Sequence, residues 1–298
     1  MRTEARTSTF SIVAHDPGAE EWGVAVQSKF LAAAAVVSWA RAGVGAVATQ
    51  AMANMSYGPE GLELMAGGTP AAEAVTLLTS RDHSAQHRQV AAVDGRGRAA
   101  AFTGDECLDW AGHRAGEGYS CQGNILAGPQ VVGNMARDFE SSSGPLADRL
   151  VSALRAGQDA GGDRRGQQSA GLLVVREGGS YGGQLDRYID LRVDDSTEPI
   201  EELGRLLDMF YLYFQRPDPD SLLAIEGDLA RQVLNHLAAL GFGVDPDQDH
   251  FDRDAQLALD QWVARENFEE RMPGPGVIDP QVLRYLAAQA EGDAEGET

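Results

Sequence analysis

The chain has 298 residues, 43% of them hydrophobic, which is enough for one large domain or two domains of ordinary size. The 24 basic residues against 45 acidic residues give a formal net charge of −21, which would repel nucleic acids and anionic lipid surfaces. No apolar run approaches the roughly 18 residues of a membrane helix, and the first residues lack the apolar segment of a secretory signal. We therefore expect a cytoplasmic protein with no nucleic-acid or membrane partner.

Charge and glycine content change near residue 200. Residues 1–197 contain 17 basic and 23 acidic residues, whereas residues 198–298 contain 7 basic and 22 acidic residues. Two prolines in a polar stretch then indicate a linker, because proline cannot continue the preceding helix. The predicted segments are an N-terminal extension at 1–8, a first domain at 9–214, a linker at 215–221, a helical domain at 222–290 and an acidic tail at 291–298.

Predicted strands and predicted helices both come in pairs along the first 200 residues. The strands are predicted, in chain order, at 10–15, 22–27, 32–38, 44–49, 89–94, 98–103, 168–176 and 185–193. One helix is predicted to begin at Pro59, and a second begins at Pro70 with Thr69 as its cap. Three further helices are predicted at 130–140, 145–155 and 199–214. The glycine-rich segment between 104 and 123 is predicted to be a loop.

Hairpins that alternate with helix pairs predict two antiparallel sheets stacked face to face, with helices on both outer faces. The runs at 32–37 and 172–175 are apolar on both faces, as strands covered on both sides should be. The predicted class is α+β, a four-layer α-β-β-α sandwich followed by a small three-helix domain. A doubly wound parallel sheet is the weaker alternative, because no glycine-rich nucleotide loop follows a strand.

Five segments of the first domain carry a family resemblance. They are 9–14 (TFSIVA), 22–28 (WGVAVQS), 42–50 (AGVGAVATQ), 119–124 (YSCQGN) and 161–169 (GGDRRGQQS). In this order they resemble the family catalogued as domain of unknown function 1028, which is similar to the N-terminal nucleophile (Ntn) hydrolases. The resemblance covers about 9–214 and implies the same four-layer fold and amide hydrolysis. Residues 222–290 resemble a peptidoglycan-binding module that is often attached to that family.

The resemblance implies that Thr9 is the nucleophile. In an Ntn hydrolase the first residue of the mature chain uses its own α-amine, with a pKa of about 8, as the base for its side chain. Eight residues precede Thr9 here, so the amine is free only after cleavage of the Ser8–Thr9 bond. Three alternatives stay open: the chain is processed, its start is misassigned, or Thr9 is an ordinary strand residue.

Other candidates follow from the same segments. Lys29, the one lysine in the chain, would favour a deprotonated neighbour, or it is simply a cation at a strand end. The segments 122–124 and 161–169 offer amides for an oxyanion hole, or they are tight turns that need glycine. Asp163 with Arg164 would orient the amine, or form an exposed ion pair. The predicted catalytic residues are Thr9, Lys29, Asn124 and Asp163; the predicted substrate-binding residues are Gln50, Gln122, Gly123, Arg164 and Ser169.

Alternative sites do not hold on inspection. His83 and His87 have helical spacing but lack the glutamate of a zinc-binding HExxH motif. The aspartates at 245, 247 and 249 imitate the start of a calcium loop that lacks its later glycine and glutamate. Cys121 has no histidine and asparagine in the order typical of a cysteine hydrolase. We expect no metal and no cofactor.

The tail predicts three helices, at 222–240, 252–270 and 280–290, whose apolar residues form a small core. Peptidoglycan binding is implied by the resemblance alone, and the acidic charge and missing export signal weigh against it. An intramolecular cap or a homo-oligomer interface is the preferred alternative for this domain. For the whole chain two functions remain, a hydrolase of a small amide, peptide or γ-glutamyl-like substrate and a non-catalytic binding or scaffold protein.

Overall fold

The computed structural model describes residues 9–248, 250–272 and 274–296. The chain forms two compact units that divide between Leu207 and Asp208. The predicted linker at 215–221 therefore lies within the second unit. In the described part of the chain, no helix has the length and apolar content needed to cross a membrane.

The first unit contains two antiparallel sheets. Its strands are β1 Thr9–Asp16, β2 Glu21–Ser28, β3 Ser38–Arg41, β4 Gly45–Ala51, β5 Arg88–Asp94, β6 Ala99–Thr103, β7 Gly112–Gly116, β8 Tyr119–Asn124, β9 Ser169–Val175 and β10 Arg187–Val193. One sheet has the strand order β10-β9-β2-β1-β8-β7 and the other has the order β3-β4-β5-β6. All neighbouring strands within them pair antiparallel, as the hairpin pattern predicts.

Helices cover the outer faces of both sheets. The short helix α1 Ala34–Val37 is the exception, because Ala34 and Val37 lie in the core between the sheets. The outer helices are α2 Tyr57–Ala66, α3 Ala71–Ser80, α4 Gln130–Ser141 and α5 Leu146–Asp159. The pair α2 and α3 packs on the four-stranded sheet, and the pair α4 and α5 packs on the six-stranded sheet. Strand β1 contacts β4 and β5 across the space between the sheets. The predicted α-β-β-α sandwich is therefore confirmed.

The apolar core between the sheets is built from alternate residues of their strands. Val13, Val24 and Val26 of the six-stranded sheet meet Ala46 and Val93 of the four-stranded sheet, and all five are fully buried. Their neighbours in sequence point outward, under the helices. Both faces of strands β2, β4 and β9 are thus buried, which explains continuous apolar runs such as 172–175.

Three local predictions are wrong. The segment predicted as a strand at 32–38 forms the short helix α1 before β3, because four consecutive alanines favour helix. The segment predicted as a glycine-rich loop contains the hairpin of β7 and β8, whose turn uses Gly118 at φ +75°. Thr69 does not cap α3, which follows Pro70 directly.

The second unit is largely helical. Helix α6, Pro199–Phe214, occupies the predicted residues and crosses the division between the units. It is followed by β11 Leu223–Ala224, α7 Gly227–Ala239, α8 Arg253–Glu266, β12 Val277–Ile278 and α9 Pro280–Gly296. The core includes Leu237, Trp262 and Phe268, as predicted, whereas Leu257 is half-exposed. The two short strands pair antiparallel and were not predicted.

Candidate functional site

The space between the two sheets changes from apolar to polar at one end of the strands. Along β1, Val13 is followed toward the N-terminus by Ser11 and Thr9 on the same face. Because the strands are antiparallel, β4 brings Gln50 and β5 brings Gln89 to this end. These polar residues are all fully buried. We call this region the polar end; its members on the strands are Thr9, Ser11, Ser28, Gln50, Gln89, Gln122 and Asn124.

Gln89 is the centre of the hydrogen-bond network at the polar end. Its Oε1 accepts hydrogen bonds from Gln50 Nε2 at 2.8 Å and from Asn124 Nδ2 at 3.3 Å. Its Nε2 lies 2.9 Å from the carbonyl oxygen of Gly123 and 2.9 Å from Thr103 Oγ1. One side chain thus joins both sheets. Buried amides need such partners, because an unpaired buried polar group costs about 1 to 3 kcal/mol.

A second chain of hydrogen bonds runs through Ser11. Its hydroxyl donates to Gln50 Oε1 at 2.6 Å and accepts from Gln122 Nε2 at 2.7 Å. Gln122 Oε1 accepts in turn from Ser120 Oγ at 3.0 Å. The amides of Gln50 and Gln122, both predicted to bind substrate, are therefore held in this buried network.

Thr9 opens β1 between Ser28 of β2 and Asn124 of β8, which are its two register partners. The Thr9 and Ser28 hydroxyl oxygens lie 3.1 Å apart. The carbonyl oxygen of Thr9 accepts from Gln50 Nε2 at 3.3 Å. The backbone around the predicted nucleophile is therefore fixed from three sides.

Asp163 lies at the same sheet edge and its side chain is fully buried. Its Oδ2 accepts from the backbone N–H of Lys29 at 3.0 Å and from Arg165 Nη2 at 3.3 Å. The ion-pair partner is thus Arg165, and the prediction of an Asp163–Arg164 pair is wrong. Arg164 is exposed and bonds through its backbone N–H to the carbonyl oxygen of Ile125. The turn at 163–165 explains this, because Asp163 Oδ1 also accepts from the backbone N–H of Arg165 at 2.9 Å, which holds Arg165 beside the carboxylate.

The remaining predicted residues surround the end of β2. Lys29 Nζ donates to the carbonyl oxygen of Gln167 at 3.0 Å. The Ser169 hydroxyl donates to the carbonyl oxygen of Phe30 at 2.6 Å and accepts from the N–H of Ala33 at 3.0 Å. Ser169 therefore fixes the turn after Lys29. The structure brings Thr9, Lys29, Asn124 and Asp163 to one edge of the six-stranded sheet, through strand pairing and backbone contacts.

A small recess of about 20 Å³ adjoins the polar end. It is lined by Asn124 and by residues that the sequence did not single out for it, namely Ala51, Met52, His87, Glu106, Cys107, Leu108 and Ile125. His87 Nε2 lies 2.8 Å from Glu106 Oε2. The Cys107 thiol contacts the carbonyl oxygen of Arg88, and burial raises its pKa. Among the described residues no group of three metal-binding side chains comes together.

Cys121 lies on β8 and is fully buried. Burial raises the pKa of its thiol strongly, so the reactive thiolate is disfavoured. This environment agrees with the sequence-based rejection of Cys121 as a nucleophile.

Fold and site together define the first unit as a four-layer α-β-β-α protein with a candidate site at the polar end of its paired sheets. A family model described as "Family of unknown function (DUF1028)" matches residues 9–203. The chain belongs to this family, as the sequence motifs indicate. A second model, described as "Putative peptidoglycan binding domain", matches residues 213–286.

A solved structure is similar to the chain. It is protein SPO2555 from Silicibacter pomeroyi, also a DUF1028 protein, with 31% sequence identity and a TM-score of 0.62. The match covers 75% of this chain and 92% of that one. The comparison with curated proteins gave no match.

Proposed function

We propose that the first unit is an amidohydrolase of the N-terminal nucleophile type that acts on a small amide, peptide or γ-glutamyl-like substrate. The observation that carries the proposal is the position of Thr9 at the start of β1, paired with Ser28 and Asn124 and fixed by Gln50. A nucleophile must be held in one orientation, and strand pairing provides this. The same edge holds Lys29 and Asp163.

The proposed reaction begins with a chain in which the Ser8–Thr9 bond has been cut. The neutral α-amine of Thr9 takes the proton from Thr9 Oγ1 while this oxygen attacks the substrate carbonyl. The tetrahedral intermediate then expels the amine product, which receives the proton from the α-ammonium group. Water then attacks the Thr9 ester while the α-amine takes its proton. The ester bond breaks, the acid product leaves, and Thr9 Oγ1 regains the proton and is again a free hydroxyl.

Neighbouring groups have distinct roles in this proposal. Asn124 Nδ2 would exchange its 3.3 Å hydrogen bond to Gln89 for one to the developing oxyanion. The Lys29 ammonium would favour the neutral form of the Thr9 amine, because like charges disfavour its protonation. Asp163 acts as a positioning residue, since it holds the Lys29 backbone N–H and the Arg165 guanidinium.

The recess beside Asn124 holds only a small group, because its volume of about 20 Å³ is room for about one water molecule. Met52, Leu108 and Ile125 give it an apolar wall, and the His87–Glu106 pair gives it a polar one. The recess therefore suits one small substituent of a substrate and not a whole acyl group.

For the second unit we propose peptidoglycan fragments as the partner. The family match over residues 213–286 supports this partner. A cell-wall partner would require that the protein reaches the cell wall, or that peptidoglycan fragments reach the cytoplasm, which is the location expected from the sequence. Assembly into a homo-oligomer stays a prediction for the whole chain.

The test of the hydrolase proposal compares three forms of the protein. The first starts at Thr9, made by cleaving a fusion at the Ser8–Thr9 junction; the second retains Met1 to Ser8; the third is cleaved like the first but carries Thr9→Ala. Each is assayed against a library of amides and γ-glutamyl anilides. We expect turnover by the first form alone. Intact mass and N-terminal sequencing of protein from its native host then show whether this cleavage occurs in the cell.

A non-catalytic binding or scaffold protein is the competing function. It is favoured by the commitment of Thr9, Gln50 and Asn124 to hydrogen bonds within the protein. Equal inactivity of the Thr9-initiated and full-length forms across the library, with folding intact, would support this alternative and contradict the hydrolase.

A further inference from the structure

The second unit contains a groove of about 300 Å³ between the segment after α6 and the start of α9. Three arginines line it, Arg216, Arg271 and Arg284, together with the polar side chains of Gln215, Ser221 and Gln281. All of these residues lie within the segment 213–286 that matches the peptidoglycan-binding model.

The charge of this groove is opposite to that of its surroundings. Residues 208–298 contain 6 arginines, no lysine and 19 acidic residues, so three of the six cations line one groove. The acidic lining residues are Asp218 and Asp279. The overall negative charge, which argues against an anionic ligand, therefore does not describe this part of the surface.

Both acidic residues of the groove are engaged with the protein itself. Asp279 and Arg271 form a buried ion pair at 2.7 Å, and Asp279 Oδ1 also accepts from the N–H of Gln281. Asp218 Oδ1 accepts from the N–H of Asp220 at 3.0 Å. Arg271 further donates to the carbonyl oxygen of Gln215. The Asp279–Arg271 pair fixes the groove walls, and it leaves little charge for a ligand because its two charges offset each other.

Two arginines of the groove are placed to bind an anionic ligand. Arg216 is 86% exposed and lies 3.9 Å from Glu270, at the limit of an ion pair. Arg284 is exposed near the start of α9, and no carboxylate among the described residues forms an ion pair with it. A guanidinium group binds a carboxylate through two parallel hydrogen bonds, which gives both affinity and orientation.

We propose that this groove binds the carboxylates of a peptidoglycan stem peptide through Arg216 and Arg284. The glutamine amides and Ser221 suit the peptide groups between those carboxylates. This inference rests on the proposed peptidoglycan partner of the second unit and is independent of the Thr9 reaction.

The test uses the full-length chain and a synthetic stem peptide, L-alanyl-γ-D-glutamyl-L-lysyl-D-alanine, in calorimetric titrations. The matched variants are Arg216→Gln and Arg284→Gln in the groove and Arg253→Gln on α8, which removes the same charge outside the groove. We expect each groove variant to weaken binding about tenfold, the loss typical of one charge-assisted hydrogen bond. Arg253→Gln should change affinity less than twofold, and amidation of the peptide carboxylates should abolish binding.

Three results would overturn the inference. The first is no binding by the full-length chain at millimolar peptide, and the second is equal weakening by Arg253→Gln and Arg284→Gln. The third is equal affinity for the α-linked peptide L-alanyl-L-glutamyl-L-lysyl-L-alanine, which would assign the groove to peptide carboxylates in general. Sedimentation with purified sacculi distinguishes the proposed peptidoglycan partner from the proposed groove. If the full-length chain and Arg284→Gln both sediment with the sacculi, peptidoglycan remains the partner and the assignment to the groove fails.

Discussion

The two halves of the inter-sheet space are built on the same strands but are held together differently. In the apolar half, valines and alanines from both sheets pack without polar partners, as between Val24 and Ala48. In the polar end, three buried glutamines form a network that joins the sheets, centred on Gln89. An apolar layer would be the simpler way to join two sheets, because each buried amide that lacks a partner costs free energy.

This difference indicates where function resides. Strands β1, β4 and β5 bring Thr9, Gln50 and Gln89 to the same end of the inter-sheet space, although neighbouring strands run in opposite directions. A constraint other than packing explains polar residues that cluster in space yet are scattered in sequence. The proposed nucleophile, Thr9, lies within this cluster.

The largest expected effect separates catalysis from packing with a pair of isosteric changes. Thr9→Val in the Thr9-initiated protein removes the hydroxyl, and activity should fall by about a thousandfold or more, with stability changed by less than about 1 kcal/mol. Val13→Thr, further along the same face of β1, buries a hydroxyl among apolar groups and should cost about 1 to 3 kcal/mol while retaining activity. Turnover assays and urea unfolding check both variants. If both variants lose activity, or if neither does, the polar end and the apolar half do not differ in function as proposed.

The network itself is tested at its centre. Gln89→Leu removes the hydrogen bonds that Gln89 makes with the amides of Gln50 and Asn124 and with the carbonyl oxygen of Gly123. We expect a loss of about 3 kcal/mol in the free energy of unfolding. Gln130→Leu, at an exposed glutamine that starts α4, should change it by less than about 0.5 kcal/mol. Similar small losses in both variants would show that the polar end contributes no more than a surface residue.

The fold could be read from the sequence because its signals are local. Hairpin turns, paired helices and proline or glycine boundaries predict the four layers, and α6 occupies the predicted residues. The β7–β8 hairpin could not be predicted, because Gly112, His113 and Arg114 have low strand propensity and are held by pairing with β8. Such pairing is a tertiary effect that no local pattern encodes.

The candidate site could be predicted in its members but not in its contacts. The motif resemblance identifies Gln50, Gln122 and Asn124, yet it does not indicate that Gln89 joins them. A signal was present, since Gln89 directly precedes the apolar run 90–93 of β5, and Gln50 lies one residue before the end of β4. The partner of Asp163 could not be predicted, because the conformation of the 161–168 loop decides between Arg164 and Arg165.

Beside the polar end, a partly buried carboxylate provides a pH-dependent test. Asp82 accepts hydrogen bonds from Asn54, Tyr57 and Arg88. Burial alone would raise its pKa, but the hydrogen bonds, led by that from the Ser84 N–H, outweigh this effect and lower the pKa to about 2. A depressed pKa stabilises the folded state above the ordinary value of about 4, and this contribution is lost as the pH falls toward 2.

Asp82→Asn should therefore cost about 1 to 2 kcal/mol at pH 7 and almost nothing at pH 2. Urea unfolding at several pH values measures this convergence. The exposed Asp105→Asn serves as the control and should follow the unmodified protein throughout. If Asp82→Asn lowers the free energy of unfolding by the same amount at both pH values, the ionised form of the Asp82 carboxylate is not what stabilises this region beside the polar end.

The smallest expected effect concerns the only lysine of the chain. Lys29 is exposed and its ammonium bonds one carbonyl oxygen, so Lys29→Gln should change stability by less than about 0.5 kcal/mol. In the proposed reaction the Thr9 amine must be neutral, so activity rises as the pH rises through the pKa of this amine. A nearby ammonium lowers that pKa, because it disfavours a second positive charge. Lys29→Gln should therefore move the acid limb of the pH–rate profile upward by up to about one pH unit, whereas Lys29→Arg keeps the charge and should leave the limb in place. An unchanged limb in Lys29→Gln would remove Lys29 from the electrostatics of the nucleophile and leave it as a cation at a strand end.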